Sequence, residues 1–284
     1  KEVQELRVSE NPEYALGLSD YPYRKEITWE GIFKDIYLVD LKNGTRQPLL
    51  THHQYHVFLS PQGQFVVYYR DKHWHLYHSR LHTTKNLTQA LPVPFYDEDH
   101  DLPADVPGYG IAGWTENDQA VLIYDKYDTW QFNTTTGEAL CLTNQEGRKN
   151  KIAFRILKLD PEELFFKKDQ EFLFSAFSHE EKFTGFYSGT AGKKGVKLLL
   201  QGPYWFNFLK KAKEADRILY TRECFQEFPD LWVSDTRFTT PKRISEVNPQ
   251  VKNFWWGKPE LIEWQSLDGI RLQGVVIKPE NYDP

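Results

Sequence analysis

The chain alternates between short apolar runs and clusters of turn-forming residues. Gly, Pro, Asn and Asp bound each run, which is typical of β strands. Helical periodicity is scarce, and the best helical candidate is a turn or two at residues 209–215. The pattern predicts an all-β protein. The clearest predicted strands are residues 35–40, 64–69, 120–124, 171–175 and 217–220.

Some of these runs belong to a longer repeated unit. FLSPQGQFVVYYRDKHWHLYHSRLHTTKNLT, residues 58–88, aligns with GWTENDQAVLIYDKYDTWQFNTTTGEALCLT, residues 113–143. In this alignment Trp74 corresponds to Trp130, and a predicted turn precedes a buried strand in both copies. Phe186 takes the aromatic place in a fainter third copy, and DLWVSD marks a fourth. DIYLVDLKNGTRQPLL, residues 35–50, is the back half of another unit.

Units of this kind are blades of a β-propeller. The innermost strands of a blade are buried on both faces and read as apolar runs, and each blade buries its faces only against its neighbours. At roughly 45 residues per blade, the chain holds about five or six blades. The insertion at residues 91–110 lengthens one of them. We expect residues 1–258 to form the propeller domain, with an incomplete first blade. Whether the whole propeller has further blades is left open.

The last residues form a separate predicted element. ELIEWQSLDGIRLQGVVIKPENYDP, residues 260–284, contains two strand-like runs around the turn sequence SLDG. Asp and Gly tolerate the backbone angles of a tight hairpin. Because an isolated hairpin is marginally stable in water, residues 259–284 are expected to begin another, truncated domain. The chain contains no Met, so we expect both of its ends to be cut.

Composition excludes some classes of function. The 284 residues carry a net charge of −5 without a long basic run, which disfavours nucleic-acid binding. No apolar stretch approaches the 18 residues of a membrane span. Two free thiols at Cys141 and Cys224 are favoured over one disulfide. The three N-x-T sequons lie in turn-like stretches, where these residues are common in any case, so glycosylation is not favoured. The oligomeric state is open.

The order of these segments resembles the propeller portion of the prolyl oligopeptidase family of serine peptidases. The similarity is greatest to large bacterial members of the dipeptidyl-peptidase-like and acylaminoacyl-peptidase-like types. GIAGWTENDQAVLIYDKYDTWQF, residues 110–132, resembles one of their blades, and TRECFQEFPDLWVSD, residues 221–235, resembles their last blade. EWQSLDGIRLQGVVIKPENYDP, residues 263–284, resembles the first hairpin of their α/β-hydrolase domain.

The resemblance implies a propeller that gates a peptidase active site and admits short peptides. It implies a partner in the protein's own C-terminal hydrolase domain, no cofactor, and a periplasmic or secreted location in a bacterium. The family's nucleophile lies on a G-x-S-x-G turn, which the chain lacks. The nearest string, GFYSG at residues 185–189, has the wrong spacing and is expected to be a blade turn. No catalytic residue is therefore assigned, and this polypeptide alone is not expected to hydrolyse peptides.

Three residues are candidates for substrate binding by resemblance. In some relatives two propeller glutamates bind the free α-amine of the substrate through charge-assisted hydrogen bonds. Glu223 and Glu227 are the counterparts here, with Arg222 as a contact to a carboxylate or carbonyl group. The alternative is that all three only flank the strand that starts at Leu231.

No metal site is assigned. Seven of the nine histidines lie between His52 and His82, and His73 and His75 share one face of a predicted strand. A solvated strand face is favoured over zinc ligation, because no third ligand is evident. The acidic run at residues 97–101 could bind a hard cation, but a solvated loop is favoured. A metal-dependent enzyme is therefore the weakest hypothesis, and a stand-alone binding or scaffold propeller is the alternative to the peptidase.

Overall fold

The chain consists of five successive four-stranded sheets followed by a two-stranded hairpin. The structure is a computed structural model that describes residues 3–10, 13–279 and 281–283. Within each sheet the order of the strands follows the chain, so every sheet is a meander. The first and second sheets are formed by β1 (Glu5–Val8), β2 (Tyr14–Ser19), β3 (Lys34–Asp40), β4 (Arg46–His53), β5 (Val57–Leu59), β6 (Phe65–Arg70), β7 (His73–His78) and β8 (Thr83–Asn86).

The same four-strand pattern continues to the hairpin. The later strands are β9 (Ile111–Trp114), β10 (Ala120–Tyr124), β11 (Thr129–Asn133) and β12 (Ala139–Cys141) in the third sheet, β13 (Ile152–Ile156), β14 (Glu171–Ser178), β15 (Thr184–Thr190) and β16 (Lys197–Gly202) in the fourth, β17 (Trp205–Lys211), β18 (Ile218–Cys224), β19 (Glu227–Ser234) and β20 (Lys242–Arg243) in the fifth, and β21 (Lys258–Gln265) and β22 (Arg271–Lys278) in the hairpin. This succession confirms the predicted all-β propeller architecture.

Within the described residues, helical structure is limited to short segments. One α-helix, α1, spans Glu146–Asn150, and 3-10 turns lie at Tyr21–Tyr23, Glu116–Asp118 and Pro249–Asn253. None of the helices in the described ranges is long and apolar enough to cross a membrane.

The helix expected at residues 209–215 is wrong, because Trp205–Lys211 forms β17. Phe206 is buried in this strand while its neighbours Trp205 and Asn207 are exposed, which is the alternation of a strand. Pairing with β18 and burial of Phe206 override the helix-favouring lysine and alanine residues that follow.

The first sheet also differs from the expectation of an incomplete blade, since it has four strands. The predicted back half corresponds to β3 and β4, and β1 and β2 precede it. All four residues of β1 are exposed, so this strand carries no buried pattern that sequence analysis could detect.

The chain divides into two compact units. One comprises Lys1–His179 and Ser188–Lys197, and the other comprises Glu180–Tyr187 and Leu198–Pro284. β15 and β16 each contain residues of both units. In the second unit an aromatic cluster forms the core, with the rings of Phe186 and Phe238 stacked at 4.6 Å and Tyr220 packed edge-on against both.

In the first unit, β6 is buried on both faces. Its even-numbered residues, Val66 and Tyr68, belong to a core shared with the first sheet. Its odd-numbered residues, such as Val67 and Tyr69, belong to a core shared with the third sheet. This double burial explains why the strand reads as a continuous apolar run rather than as an alternating one.

The predicted repeat is visible in matching hydrogen bonds. The Ser60 hydroxyl accepts the Phe65 N–H at 3.0 Å, and the Thr115 hydroxyl accepts the Ala120 N–H at 2.8 Å. Both bonds close the turn between the first two strands of a sheet. Trp74, Trp130, Phe186 and Trp232 all lie on the third strand of their sheets, so the alignment made from sequence is structurally correct.

A buried carboxylate joins the second and third sheets. Asp118 is 1% exposed and accepts hydrogen bonds from the Ser60 hydroxyl and from the backbone N–H groups of Gln62 and Gln64. Burial raises its pKa, although these hydrogen bonds oppose the shift. Asp118 has a φ of +55° and its neighbour Asn117 a φ of +56°, a region that Asp and Asn tolerate better than most residues.

We expect Asp118→Ala to lower the free energy of unfolding by about 2 kcal/mol, because it removes the acceptor of the buried Ser60 hydroxyl and of two partly buried backbone N–H groups. Urea unfolding followed by tryptophan fluorescence measures the change. Asn117→Ala is the matched control, since it has the same backbone conformation but an exposed side chain. Equal unfolding midpoints for the two variants would contradict the role of Asp118.

His53 ends β4 and is buried. This side chain is 6% exposed, and its Nε2 is buried without a hydrogen-bond partner among the described residues. Tyr55 and Tyr68 pack edge-on against the ring. Burial lowers the pKa of His53 from 6.5 to about 4.

Because the unfolded chain binds a proton below pH 6.5 that folded His53 rejects until about pH 4, stability should fall as the pH drops through this window. The contribution of His53 at pH 5 is a loss of about 2 kcal/mol relative to pH 7.5. Urea unfolding at both values tests this. His53→Phe should show a correspondingly smaller loss, and an unchanged pH dependence in this variant would refute the assignment.

Candidate functional site

Arg222 and Glu227 meet across the hairpin formed by β18 and β19 in the second unit. The Arg222 Nη2 lies 2.6 Å from the Glu227 Oε2. The guanidinium group lies between two aromatic rings, with its Cζ 4.3 Å from the centroid of Tyr204 and 4.1 Å from that of Trp232. Cation–π contact with two rings and an ion pair hold the planar group in one orientation.

Glu223 lies in a different setting. It faces Trp205 of β17, and the β18–β19 register shifts between Arg222 and Cys224. Of the three residues predicted from sequence, the described contacts bring Arg222 and Glu227 together and do not include Glu223. The Glu227 carboxylate is already neutralised by Arg222, so the pair presents an ion pair rather than a free anionic site.

The chemistry of this pair is that of polar recognition. A guanidinium group with one edge paired can donate further hydrogen bonds to a carbonyl or carboxylate oxygen. The Glu227 side chain is 41% exposed and can accept a hydrogen bond from an amine or amide. The arrangement is therefore suited to binding polar groups.

Sequence analysis missed a second polar cluster, in the turn between β10 and β11 of the first unit. Asp125 is fully buried and accepts hydrogen bonds from the N–H groups of Tyr127 and Asp128 and from the indole of Trp130. Burial raises the pKa of Asp125. A visible signal is in the aligned repeats, where Asp125-Lys126 occupies the place of Asp71-Lys72.

Asp128 and Arg155 complete this cluster. The Asp128 carboxylate accepts the Thr143 hydroxyl and the N–H groups that open α1, those of Gly147 and Arg148, at 2.9 Å each. The Arg155 guanidinium donates to the carbonyl oxygens of Asp125 and Lys126. These groups satisfy one another, which identifies the cluster as a structural tie rather than a ligand site.

The acidic insertion is fastened to the same region. Lys126 pairs with Asp99 at 2.6 Å, Arg148 pairs with Glu98 at 2.7 Å, and the Tyr109 hydroxyl donates to Asp97 at 3.2 Å. The carboxylates expected to lie in a solvated loop are therefore partly committed to ion pairs. Among the described residues no group of three His, Cys, Asp or Glu side chains is arranged to hold a metal ion.

The remaining candidates have structural surroundings. His73 and His75 share a face of β7 as predicted, and His75 stacks on Tyr68 at 5.2 Å. Residues 185–189 lie within β15, so the expectation of a turn there is wrong. Both cysteines are free, as predicted, and burial raises the pKa of Cys141 to about 11, which leaves this thiol unreactive.

Comparison with known proteins gives structural matches only. No protein-family model and no curated protein matches the sequence. An acylaminoacyl peptidase from Pyrococcus horikoshii has 14% identity and a TM-score of 0.48, with 100% of this chain and 44% of that chain covered. One of two prolyl endopeptidases studied for inter-domain dynamics has 11% identity and a TM-score of 0.56, with 99% and 40% covered.

A third structure comes from Bacteroides ovatus, and its name, dipeptidyl aminopeptidase IV, is provisional. It has 10% identity and a TM-score of 0.61, with 98% of this chain and 45% of that chain covered. The chain thus spans less than half the length of these proteins. At such low identity the last two matches establish the fold. As the resemblance predicted, this chain has the fold of the β-propeller portion of prolyl oligopeptidase-family enzymes.

Proposed function

We propose that this chain is the substrate-gating propeller of a serine peptidase that cleaves short peptides, and that residues 259–284 begin its α/β-hydrolase domain. One observation carries the proposal. Five four-stranded sheets are followed by the β21–β22 hairpin, and this whole succession matches less than half of two peptidase structures.

The surface of the hairpin supports a further domain. Leu261, Val275 and Ile277 on one face are 41%, 63% and 50% exposed, and Ile262, Trp264 and Leu272 on the other are 39%, 46% and 37% exposed. A strand pair with apolar side chains on both faces is suited to a sheet covered on both sides, which is the layer arrangement of an α/β domain. A stand-alone binding propeller gives no reason for this exposure.

The test uses the full product of the gene that encodes this chain. We expect it to react with a serine-directed fluorophosphonate and to hydrolyse short peptides, while residues 1–284 alone should do neither. Heat-denatured protein is the control for non-specific labelling. Failure of the full-length protein to label would refute the peptidase proposal and favour a binding scaffold.

We also propose that Arg222 and Glu227 contact the substrate's polar end groups. Support comes from the oriented guanidinium group and the half-exposed carboxylate of the pair. Glu223 remains a proposed contact by resemblance alone, and so does a periplasmic or secreted location.

In the full-length protein, Arg222→Ala and Glu227→Gln should each lower kcat/KM for short peptides about tenfold, equal to about 1.4 kcal/mol of lost binding. The loss should appear mainly in KM, because the pair binds without reacting. Lys242→Ala, on the exposed edge strand β20 of the same sheet, is the control. If Glu227→Gln lowers kcat/KM equally for peptides with free and with acetylated N-termini, the proposed contact with the substrate amine is wrong.

A further inference from the structure

The β21–β22 hairpin is tied at two points to other parts of the second unit. Near its tip, the Arg271 Nη1 lies 2.8 Å from the Glu180 Oε2, and the Gln273 Nε2 donates to the Glu180 backbone carbonyl at 3.2 Å. Glu180 lies in the turn that precedes β15. Both the side chain and the main chain of Glu180 are therefore held by the hairpin.

Glu263 orients the two donors. Its carboxylate accepts hydrogen bonds from the Arg271 guanidinium and, at 3.0 Å, from the Gln273 amide. Glu263 and Gln273 are directly opposite in the hairpin register, and Arg271 is two residues from Gln273 along β22. The alternation of a strand places all three on one face, so they form a single polar patch, here named the clasp together with Glu180.

The root of the hairpin is held by a different kind of contact. Trp256 packs edge-on against Phe225 at 5.6 Å, and its indole donates to the Val251 carbonyl at 3.1 Å. Phe225 lies in the turn between β18 and β19. This contact is mainly apolar and is insensitive to salt, whereas the clasp consists of charged and polar groups.

The clasp is exposed, which determines its strength. The Arg271 side chain is 52% exposed and that of Glu180 is 32% exposed. Ion pairs at such positions are weak and are weakened further by salt. The apolar contact at the root does not share this sensitivity, so salt loosens the tip before the root.

We propose that the clasp is a salt-sensitive latch between the hairpin and the propeller, which releases the hairpin tip while the root acts as a pivot. Resting on the proposed function, the latch couples the propeller to the hydrolase domain that the hairpin begins.

The latch is tested by electron–electron distance measurement in the full-length protein, stripped of other reactive thiols. Spin labels at Leu267→Cys, on the hairpin tip, and at Thr240→Cys, in the bend before β20 of the same unit, report the position of the tip. Arg271→Ala should broaden and shift the distance distribution, as should 1 M salt in the parent protein. In Arg271→Ala the distance distribution should respond much less to 1 M salt than in the parent protein.

Lys278→Ala is the matched control. It breaks an ion pair between Lys278 and Glu260 that has similar exposure but lies wholly within the hairpin, so the distribution should not change. Glu180→Gln should give a smaller shift than Arg271→Ala, because the amide oxygen that it introduces can still accept a hydrogen bond from the Arg271 guanidinium. An Arg271→Ala distribution equal to that of the parent would overturn the latch.

Fluorophosphonate labelling separates this inference from the proposed function, because it reports the peptidase independently of the position of the hairpin tip. A tip that responds to Arg271→Ala and to salt in a protein that does not label would support the clasp and refute the peptidase. A tip that does not respond in a protein that labels would refute the clasp and leave the peptidase proposal intact.

Discussion

The structure depends on one constraint, which is that a sheet with two apolar faces must be covered on both sides. β6 shows the consequence, since alternate residues of this one strand belong to cores on opposite faces. Each sheet of this kind therefore requires a neighbour, and the chain meets the requirement by repeating the same four-stranded meander. Several polar groups that sheet packing isolates from water are satisfied at the turns, where Asp118 and Asp125 accept several hydrogen bonds each.

The same constraint explains how much of the fold could be predicted from sequence. Strands buried on both faces produce apolar runs, and the turns that join them require particular residues, so β6 and β10 and their place in a repeat were evident. β1 was not, because its residues are all exposed. β17 was mistaken in part for a helix, because its pairing with the following strand and the burial of Phe206 outweigh the helix preference of the lysine and alanine residues at its end.

The candidate site shows a similar limit. Arg222 and Glu227 lie close in sequence on two strands of one hairpin, so their proximity could be anticipated. The position of the Arg222 guanidinium between Tyr204 and Trp232 could not, since it depends on three different strands or turns meeting. The pairing of Glu98 with Arg148 is likewise a contact between distant parts of the chain, which local patterns do not encode.

The terminal hairpin is where the covering requirement remains unmet. Its apolar side chains are exposed on both faces, at the root on one and toward the tip on the other. The polar half of one face contacts Glu180 through Arg271 and Gln273. A strand pair that is held by exposed charges while its apolar side chains stay exposed on both faces is suited to packing between further layers, because the apolar surface would supply most of the stability of such packing and the polar contacts are weak enough to exchange.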